Sequence, residues 1–211
     1  MKPKATPLAT TLTTAATATS ALFALQSQAD ASIIYSGPQN LTAGPVAGYP
    51  GSGTSVQKNF LMAGATLRLE AFRLAIVNNY AQALLFGPDL INTGGAVAKL
   101  AAGGVISAGK PFSTGGVLAS FIGGVQQQGH WAKNQTGFAG IKLPNGDLGW
   151  VRLVWNSTDA NPGPTEVTAV DWAYDTTPGE AINAGAVPEP GTTALLALAG
   201  AGAAFLRRRK G

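Results

Sequence analysis

Cysteine is absent from this chain of 211 residues, and histidine occurs only at position 130. A fold without cysteine has no disulfide framework, so its hydrophobic core must hold it together. A single histidine excludes a zinc site built on a histidine pair, and a Ser-His-Asp triad would need His130 itself. His130 stands beside Trp131, and we interpret it as a loop residue rather than a metal ligand or a catalytic base.

Charged side chains make up only 11% of the chain, and its formal net charge of +4 comes from the two ends. Two of the 14 Lys and Arg lie within the first four residues and four lie within the last five, which leaves eight. Of the 10 Asp and Glu, Asp30 and Glu189 lie outside residues 32–186, which also leaves eight. The segment 32–186 is therefore formally neutral, and no basic patch favours a nucleic-acid partner.

Motifs that mark common enzymes are missing as well. No serine lies in a Gly-x-Ser-x-Gly pattern, since the nearest match, residues 105–109, begins with valine. The glycine-rich residues 51–54 are not followed by Gly-Lys, so they predict a turn and not a phosphate-binding loop. The sequence therefore predicts no catalytic residues, no cofactor and no metal.

The N-terminus has the parts of a secretory signal peptide. Two lysines in the first four residues form a positive start, and a stretch rich in Thr, Ala and Leu follows. Ala29-Asp30-Ala31 then fits a small-x-small cleavage site before Ser32. We predict that residues 1–31 direct the chain to the secretion translocon and are removed on export.

The C-terminus combines three segments of different physical character: Val187-Pro188-Glu189-Pro190, the apolar residues 191–206, and the basic cluster Arg207-Arg208-Arg209-Lys210. The two prolines fix φ and remove two backbone donors, so a helix or strand ends at this motif. The 13 uncharged residues 194–206 would form a helix of about 20 Å, which snorkelling arginines extend toward a membrane span. The basic cluster would then stay cytoplasmic. The alternative, a buried C-terminal helix with a solvated end, should show a polar face, and this segment shows none.

This order of segments resembles the PEP-CTERM sorting signal of Gram-negative bacteria, in which a Pro-Glu-Pro motif precedes a short hydrophobic helix and an arginine cluster. The resemblance implies that residues 187–211 are a sorting signal with a transmembrane helix and a basic stop. It also implies an exosortase as the processing partner, contact with the inner membrane, and delivery to the cell envelope, the cell surface or the extracellular matrix.

Residues 137–211 also resemble the C-terminal part of many PEP-CTERM proteins, whereas residues 32–136 resemble them poorly. In that part a Gly-Trp strand is followed by Tyr-acid and Thr-Pro-Gly, which are here Gly149-Trp150, Tyr174-Asp175 and Thr177-Pro178-Gly179. The resemblance implies a secreted β-rich domain destined for the surface or for extracellular polysaccharide. It implies no catalytic residues.

Alternating apolar residues predict a β-hairpin at 137–155, with the turn at Asn145-Gly146. Along its second strand, Val151, Leu153 and Trp155 are expected on one face and Trp150, Arg152 and Val154 on the other. A further strand is predicted at 167–174. Its residues Thr168, Val170, Trp172 and Tyr174 are expected to share one side.

Upstream of the hairpin the pattern predicts strands at about 66–77 and 80–86, although residues 67–86 also fit a helix. Residues 115–124 predict another strand, and the Ala/Gly-rich segment 96–109 fits a strand, a loop or a short helix. The 28 glycines disfavour long helices. The expected fold is an all-β, antiparallel, jelly-roll-like β-sandwich over residues 32–186.

Two sets of residues bear on function. Trp155 and Trp172 are expected in the core, whereas Trp131 and Trp150 are the candidate contacts for a sugar ring. Asp171 and Asp175 would lie about 13 Å apart on one strand face at ~3.3 Å per residue, too far for a catalytic carboxylate pair unless the fold adds another acid such as Glu70 or Glu166.

Together these observations predict an exported, non-enzymatic protein with a structural or adhesive role at the cell surface or in the extracellular matrix. A secreted carbohydrate-binding module, with extracellular polysaccharide as its partner, is the alternative. A glycan hydrolase is the third candidate, and it would require two carboxylates that converge in a cleft.

Overall fold

The computed structural model describes residues 32–45, 54–74, 80–157 and 164–188. These residues form β-strands and no helix, which confirms the predicted all-β class. The predicted signal peptide, with its cleavage site at Ala29 and Ala31, lies outside the described residues, and so does the predicted C-terminal helix with its basic stop. In chain order the strands are β1 Ile33–Tyr35, β2 Leu41–Ala43, β3 Thr54–Met62, β4 Ala65–Leu74, β5 Tyr80–Thr93, β6 Ala96–Val97, β7 Val105–Ile106, β8 Phe112–Ile122, β9 Val125–Gly129, β10 Gly137–Lys142, β11 Leu148–Asn156, β12 Glu166–Asp175 and β13 Ile182–Asn183.

Eleven of the described strands form one sheet, in which the order β1-β12-β11-β10-β5-β6-β8-β9 forms the main path. Strand β2 also pairs with β12, and the β3–β4 hairpin pairs with β5 through β4. Strands β7 and β13 form a separate two-stranded ribbon. The pairings are antiparallel except for the short parallel contact of β6 with β8.

Strand β5 connects the part of this sheet that contains β3, β4, β8 and β9 with the part that contains β10, β11 and β12. Its first half, through Phe86, pairs with β4 on one side and with β8 on the other. Beyond Gly87-Pro88 the register with β8 shifts, and Leu90 pairs with Ile141 of β10. Proline cannot donate to the ladder, so a break at this position is the expected result. Because β5 joins both parts in one continuous sheet, the predicted jelly-roll-like sandwich of two sheets stays a prediction.

The predicted hairpin is confirmed as β10 and β11, in which all of β10 pairs with residues 148–153 of β11. Its turn is closed by hydrogen bonds from the Leu143 amide to the Asp147 carbonyl and from the Gly146 amide to the Leu143 carbonyl. Gly146 has φ of +90°, a conformation that side chains disfavour. The Asn145 side chain accepts a hydrogen bond from the Asp147 amide at 3.2 Å, which is the turn chemistry that Asn-Gly predicts.

Strand β12 departs from the predicted alternation because its register with β11 shifts. Arg152 pairs with Asp171 and Leu153 pairs with Ala169, so Val170 is an extra residue in β12. Such a bulge exchanges the faces of the strand. Trp172 therefore packs against the same core as Ala169, and the prediction that Thr168, Val170, Trp172 and Tyr174 share one side is wrong.

The largest hydrophobic cluster, called here the main cluster, combines side chains from both parts of the sheet. Phe60 and Leu69 of the β3–β4 hairpin contribute to it, as do Leu85 of β5 and Leu153 and Trp155 of β11. The expected inward face of β11 is thereby confirmed, and Trp155 lies in the core as predicted. The fold thus rests on side chains of both parts meeting in one core.

The strands predicted upstream of the hairpin are observed as β4, β5 and β8, and the helical alternative for residues 67–86 does not occur in the described part of that segment. Segment 96–109 contains the short strands β6 and β7 separated by turns. Strands β1, β2, β3, β9 and β13 were not predicted from the sequence. The first two are three residues long, too short for alternation to show.

Candidate functional site

A second hydrophobic cluster lies on the opposite face of β10–β12 from the main cluster, and we call it the outer cluster. Trp150 is its largest fully buried side chain. Because side chains alternate along a strand, Trp150 must face away from Val151 and Leu153 in the main cluster. The buried members of the outer cluster are Ile91, Ala98, Ile106, Leu148, Trp150, Ala173, Ile182 and Ala184.

The C-terminal end of the described chain closes over this cluster. Ile182 of β13 pairs with Ile106 of β7, and both side chains are buried. The Ala184 amide donates to the Gly104 carbonyl at 2.9 Å, and the Gly103 amide donates back to the Ala184 carbonyl at 2.9 Å. The ribbon β7–β13 therefore continues as paired backbone for one residue beyond β13.

Trp150 makes the last of these attachments. Its indole Nε1 donates to the Ala186 carbonyl at 3.1 Å, and the Ala186 amide donates to the Asn183 carbonyl at 2.9 Å. The ring of Phe138 contacts Trp150 edge-on, with centroids 5.3 Å apart. Directly after Ala186, Val187 is 45% exposed, and Pro188 is exposed as well. The chain therefore leaves the folded domain at Ala186.

A polar network lies beside Trp150 on the same face of the sheet. Asp171, which is 1% exposed, accepts a hydrogen bond at 2.8 Å from Arg152 Nε and pairs with its Nη2 through the second oxygen. The Tyr35 hydroxyl donates to Asp171 Oδ2 at 2.7 Å. The hydrogen bond to Asp171 raises the pKa of Tyr35 above its ordinary 10.0, and burial adds to this shift. The network ties β1, β11 and β12 together.

An open pocket of about 510 Å³ borders this network. Two cationic side chains line it, Lys99 and the 35%-exposed Arg152, together with Phe138 and Thr136. The Lys99 stem lies close over Gly137, where an added Cβ would meet its Cε at 2.7 Å, and its amine donates to Gln135 at 2.8 Å. The lining of this pocket includes no carboxylate. Its chemistry therefore suits an anionic or polar ligand.

Trp131 and Trp150 were the sequence-predicted glycan contacts, and the structure buries both rings. Trp131 is 0% exposed and Trp150 is 1% exposed. Trp131 Nε1 donates to the Val97 carbonyl at 3.2 Å, and its own carbonyl accepts from Trp155 Nε1 at 2.8 Å. A sugar ring stacks on an exposed aromatic face, so this prediction is wrong for both residues.

The acids do not converge on a pocket in the described part of the chain. Asp171 and Asp175 share a face of β12, as predicted, but both are buried and hydrogen-bonded, Asp175 by the Thr177 amide at 2.8 Å. Glu70 lies 3.5 Å from Arg68, and Glu166 accepts from Asn156. A second open pocket, at Gln126–Gln128 and His130, is also lined without a carboxylate.

His130 lies exposed after β9, as its loop interpretation expected, and its ring contacts the Thr93 carbonyl at 3.1 Å. Within the described ranges, no group of three or more His, Cys, Asp or Glu is placed to hold a metal ion. No helix among the described residues is long and apolar enough to span a membrane.

These observations define an all-β domain whose chain becomes exposed directly before a Pro-Glu-Pro motif. Residues 186–210 match the family model of the PEP-CTERM protein-sorting motif, so the chain contains this motif, as the sequence predicted. The motif indicates an exported protein of the cell envelope or surface that is sorted by an exosortase, which is its implied processing partner. No curated protein and no solved structure matches the chain.

Proposed function

We propose that this protein is a non-enzymatic structural or adhesive component of the cell envelope or extracellular matrix, delivered there through exosortase processing of its C-terminal signal. One observation carries the proposal: the matched sorting segment begins at residue 186, the same position at which the described chain leaves the domain. Processing beyond this position would separate an intact β-domain from the tail. In this proposal residues 1–31 are a cleaved leader, the apolar tail enters the inner membrane, and the domain has a jelly-roll-like sandwich arrangement.

The chemistry of the described side chains supports a role that depends on surface and stability rather than on catalysis. Asp171 and Asp175 are buried and occupied by hydrogen bonds, so neither is placed as a general acid over an open cleft. Two aromatic residues pack edge-on in the main cluster, Phe121 and Trp155, with centroids 5.4 Å apart. A cysteine-free domain held by such packing keeps its shape in oxidising and reducing surroundings alike.

The test expresses the chain in a host with its cognate exosortase and in the same host without it. We expect the exported product to lose the residues beyond the Pro-Glu-Pro region only when the exosortase is present, as measured by intact mass and C-terminal peptides. Glu189→Ala should abolish this change, whereas Glu180→Ala, which alters an exposed acid outside the motif, should not. An identical, unprocessed C-terminus in both hosts would refute exosortase sorting.

The open pocket at Lys99 and Arg152 supports a second candidate function, adhesion to an acidic polysaccharide. The carboxylate of a uronic acid would accept hydrogen bonds from both cations, and Thr136 offers a hydroxyl beside them. This binding mode differs from the aromatic stacking predicted from the sequence, because it uses charge. Since Asp171 already neutralises part of the Arg152 charge, Lys99 is the main unneutralised cation of the pocket.

Binding to an immobilised polyuronate and to a neutral glucan of similar length tests this candidate. We expect retention on the polyuronate alone, weakened by added salt and by Lys99→Ala. Lys142→Ala is the matched control, since this lysine lies on β10, as Phe138 does, but does not line the pocket. Equal retention on both polymers, or equal loss with both variants, would exclude a specific pocket for acidic sugars.

A further inference from the structure

The position at which the domain ends coincides with the start of the sorting segment. The segment matched by the family model begins at residue 186, and Ala186 is the last residue that described backbone and indole hydrogen bonds attach to the domain. Val187 and Pro188, the next two residues, are exposed. No linker therefore separates the folded domain from the sorting motif.

Three attachments hold this end of the chain, and together we call them the C-terminal clamp. Ile182 and Ala184 are each 2% exposed, so their side chains fix the ribbon against the outer cluster. The Ala184 amide and carbonyl are both paired with the backbone at residues 103–104. Trp150 Nε1 then holds the Ala186 carbonyl at 3.1 Å.

The ring of Trp150 is also held by residues outside the chain end. Phe138 contacts it edge-on at 5.3 Å, and Tyr35 lies against it at 6.2 Å between centroids. Tyr35 is itself anchored by its hydrogen bond to the buried Asp171. The indole donor is thus held both by residues of β1 and β10 and by the chain end that it binds.

We propose that the C-terminal clamp is a proteolytic boundary that confines cleavage to the chain from Val187 onward. A peptidase needs several consecutive residues in extended, accessible form, and the paired backbone of residues 182–186 offers these only after local unfolding. The exposed Val187 and Pro188 need no such step. This inference rests on the proposed exosortase processing for its biological meaning, but the protection itself is a property of the domain.

The first test uses the full-length exported protein from the host without exosortase, treated with a nonspecific endoprotease and analysed by mass spectrometry. In the wild type we expect rapid cutting from Val187 onward and only slow cutting within 182–186. Trp150→Phe retains an aromatic ring but loses the hydrogen bond to Ala186, so cutting within 182–186 should become roughly fivefold faster. Trp131→Phe is the matched control, because it removes an indole bond in the main cluster and should leave this rate unchanged.

Equal rates of cutting within 182–186 in the wild type and both variants would overturn the clamp. A rise in both variants alike would also overturn it, since it would report loss of global stability rather than release of the chain end. To keep this distinction clear, the free energy of unfolding of each variant is measured by denaturant titration.

The second test maps the C-terminus of the product in the host with exosortase. We expect the wild-type product to end at or after Val187, and Trp150→Phe to give additional products that end within 182–186. A wild-type product that ends at or before Ala186 would overturn the proteolytic boundary. Absence of processing in every variant would instead refute the proposed sorting, and the endoprotease experiment would still decide whether the clamp exists.

Discussion

The two faces of strands β10–β12 hold tryptophans with different partners. On the inner face, which packs against the main cluster, the Trp131 indole donates to the Val97 carbonyl and the Trp155 indole donates to the Trp131 carbonyl. On the outer face, the indole of Trp150 donates to Ala186, where the sorting segment begins. A buried indole donor therefore bonds within the fold on the inner face, whereas on the outer face it holds the residue at which the chain leaves the domain.

Burial alone therefore does not identify the role of a tryptophan. All three rings are at most 1% exposed, and their residue type and burial are the same. What differs is the sequence position of the carbonyl that each indole holds. Substitutions on the inner face should therefore lower global stability most, and those on the outer face should act more locally.

The largest effect is expected from Trp155→Ala. The ring is 1% exposed and packs edge-on against Phe121, so its loss leaves a cavity in the main cluster. We expect the free energy of unfolding to fall by about 3–5 kcal/mol, measured by denaturant titration of the purified protein. Val187→Ala, at an exposed position outside both clusters, should change it by less than about 0.5 kcal/mol and serves as the control. A similar small effect of both substitutions would contradict the assignment of the main cluster as the principal source of stability.

The next effect concerns Gly149, at which β11 approaches two neighbouring elements. A Cβ added there would lie 2.6 Å from the Ala173 carbonyl oxygen and would overlap the Met62 methyl group. Because a backbone atom cannot yield as a flexible side chain does, Gly149→Ala should cost about 2–3 kcal/mol of unfolding free energy. Gly109→Ala, where no atom lies within 4 Å of the added carbon, should be nearly neutral. Thermal or denaturant unfolding of the two variants measures this difference. Equal stability of both variants would show that β11 and β12 can separate at this point.

The hairpin and the inner face of β11 were predictable because their signals are local. Asn145-Gly146 specifies the turn, and alternation over 148–155 specifies which side chains share a face. The sorting motif was predictable for the same reason, since its residues are contiguous. Features that depend only on a short stretch of sequence can therefore be predicted without knowledge of the strand pairing.

The faces of β12 and the surroundings of Trp150 were not predictable, because they depend on non-local pairing. The extra residue Val170 arises from the register between β11 and β12, which no local pattern encodes. Trp150 shares its face with Arg152, which is 35% exposed, and a charged neighbour of this kind by itself favours a solvated face. The ribbon formed by β7 and β13, two strands of two residues each, covers that surface instead.

A smaller effect is expected where the outer face carries charge. Asp171→Asn keeps the shape of the side chain but removes the negative charge that Arg152 and Tyr35 share. Because Arg152 is 35% exposed and water can solvate it after the change, we expect a loss of about 1–2 kcal/mol in unfolding free energy rather than the larger cost of an enclosed pair. Glu70→Gln is the control, as its ion pair with Arg68 spans 3.5 Å and the Arg68 side chain is 40% exposed, so the pair should contribute less than about 1 kcal/mol. Equal losses would show that burial of Asp171 adds nothing to this network.

The smallest effect is a dependence of stability on pH that originates in the same network. Tyr35 has an ordinary pKa of 10.0, and its hydrogen bond to Asp171 raises the pKa in the folded state because the ionised phenol could not donate to a carboxylate. As pH rises above about 10, the unfolded state loses this proton first, so stability should fall progressively until the folded pKa is passed. Tyr35→Phe should make the decline shallower without removing it, since burial also raises the pKa of Tyr80. Denaturant titrations from about pH 9 to pH 11 measure both slopes, and identical slopes would mean that the phenol of Tyr35 does not couple to Asp171 in solution.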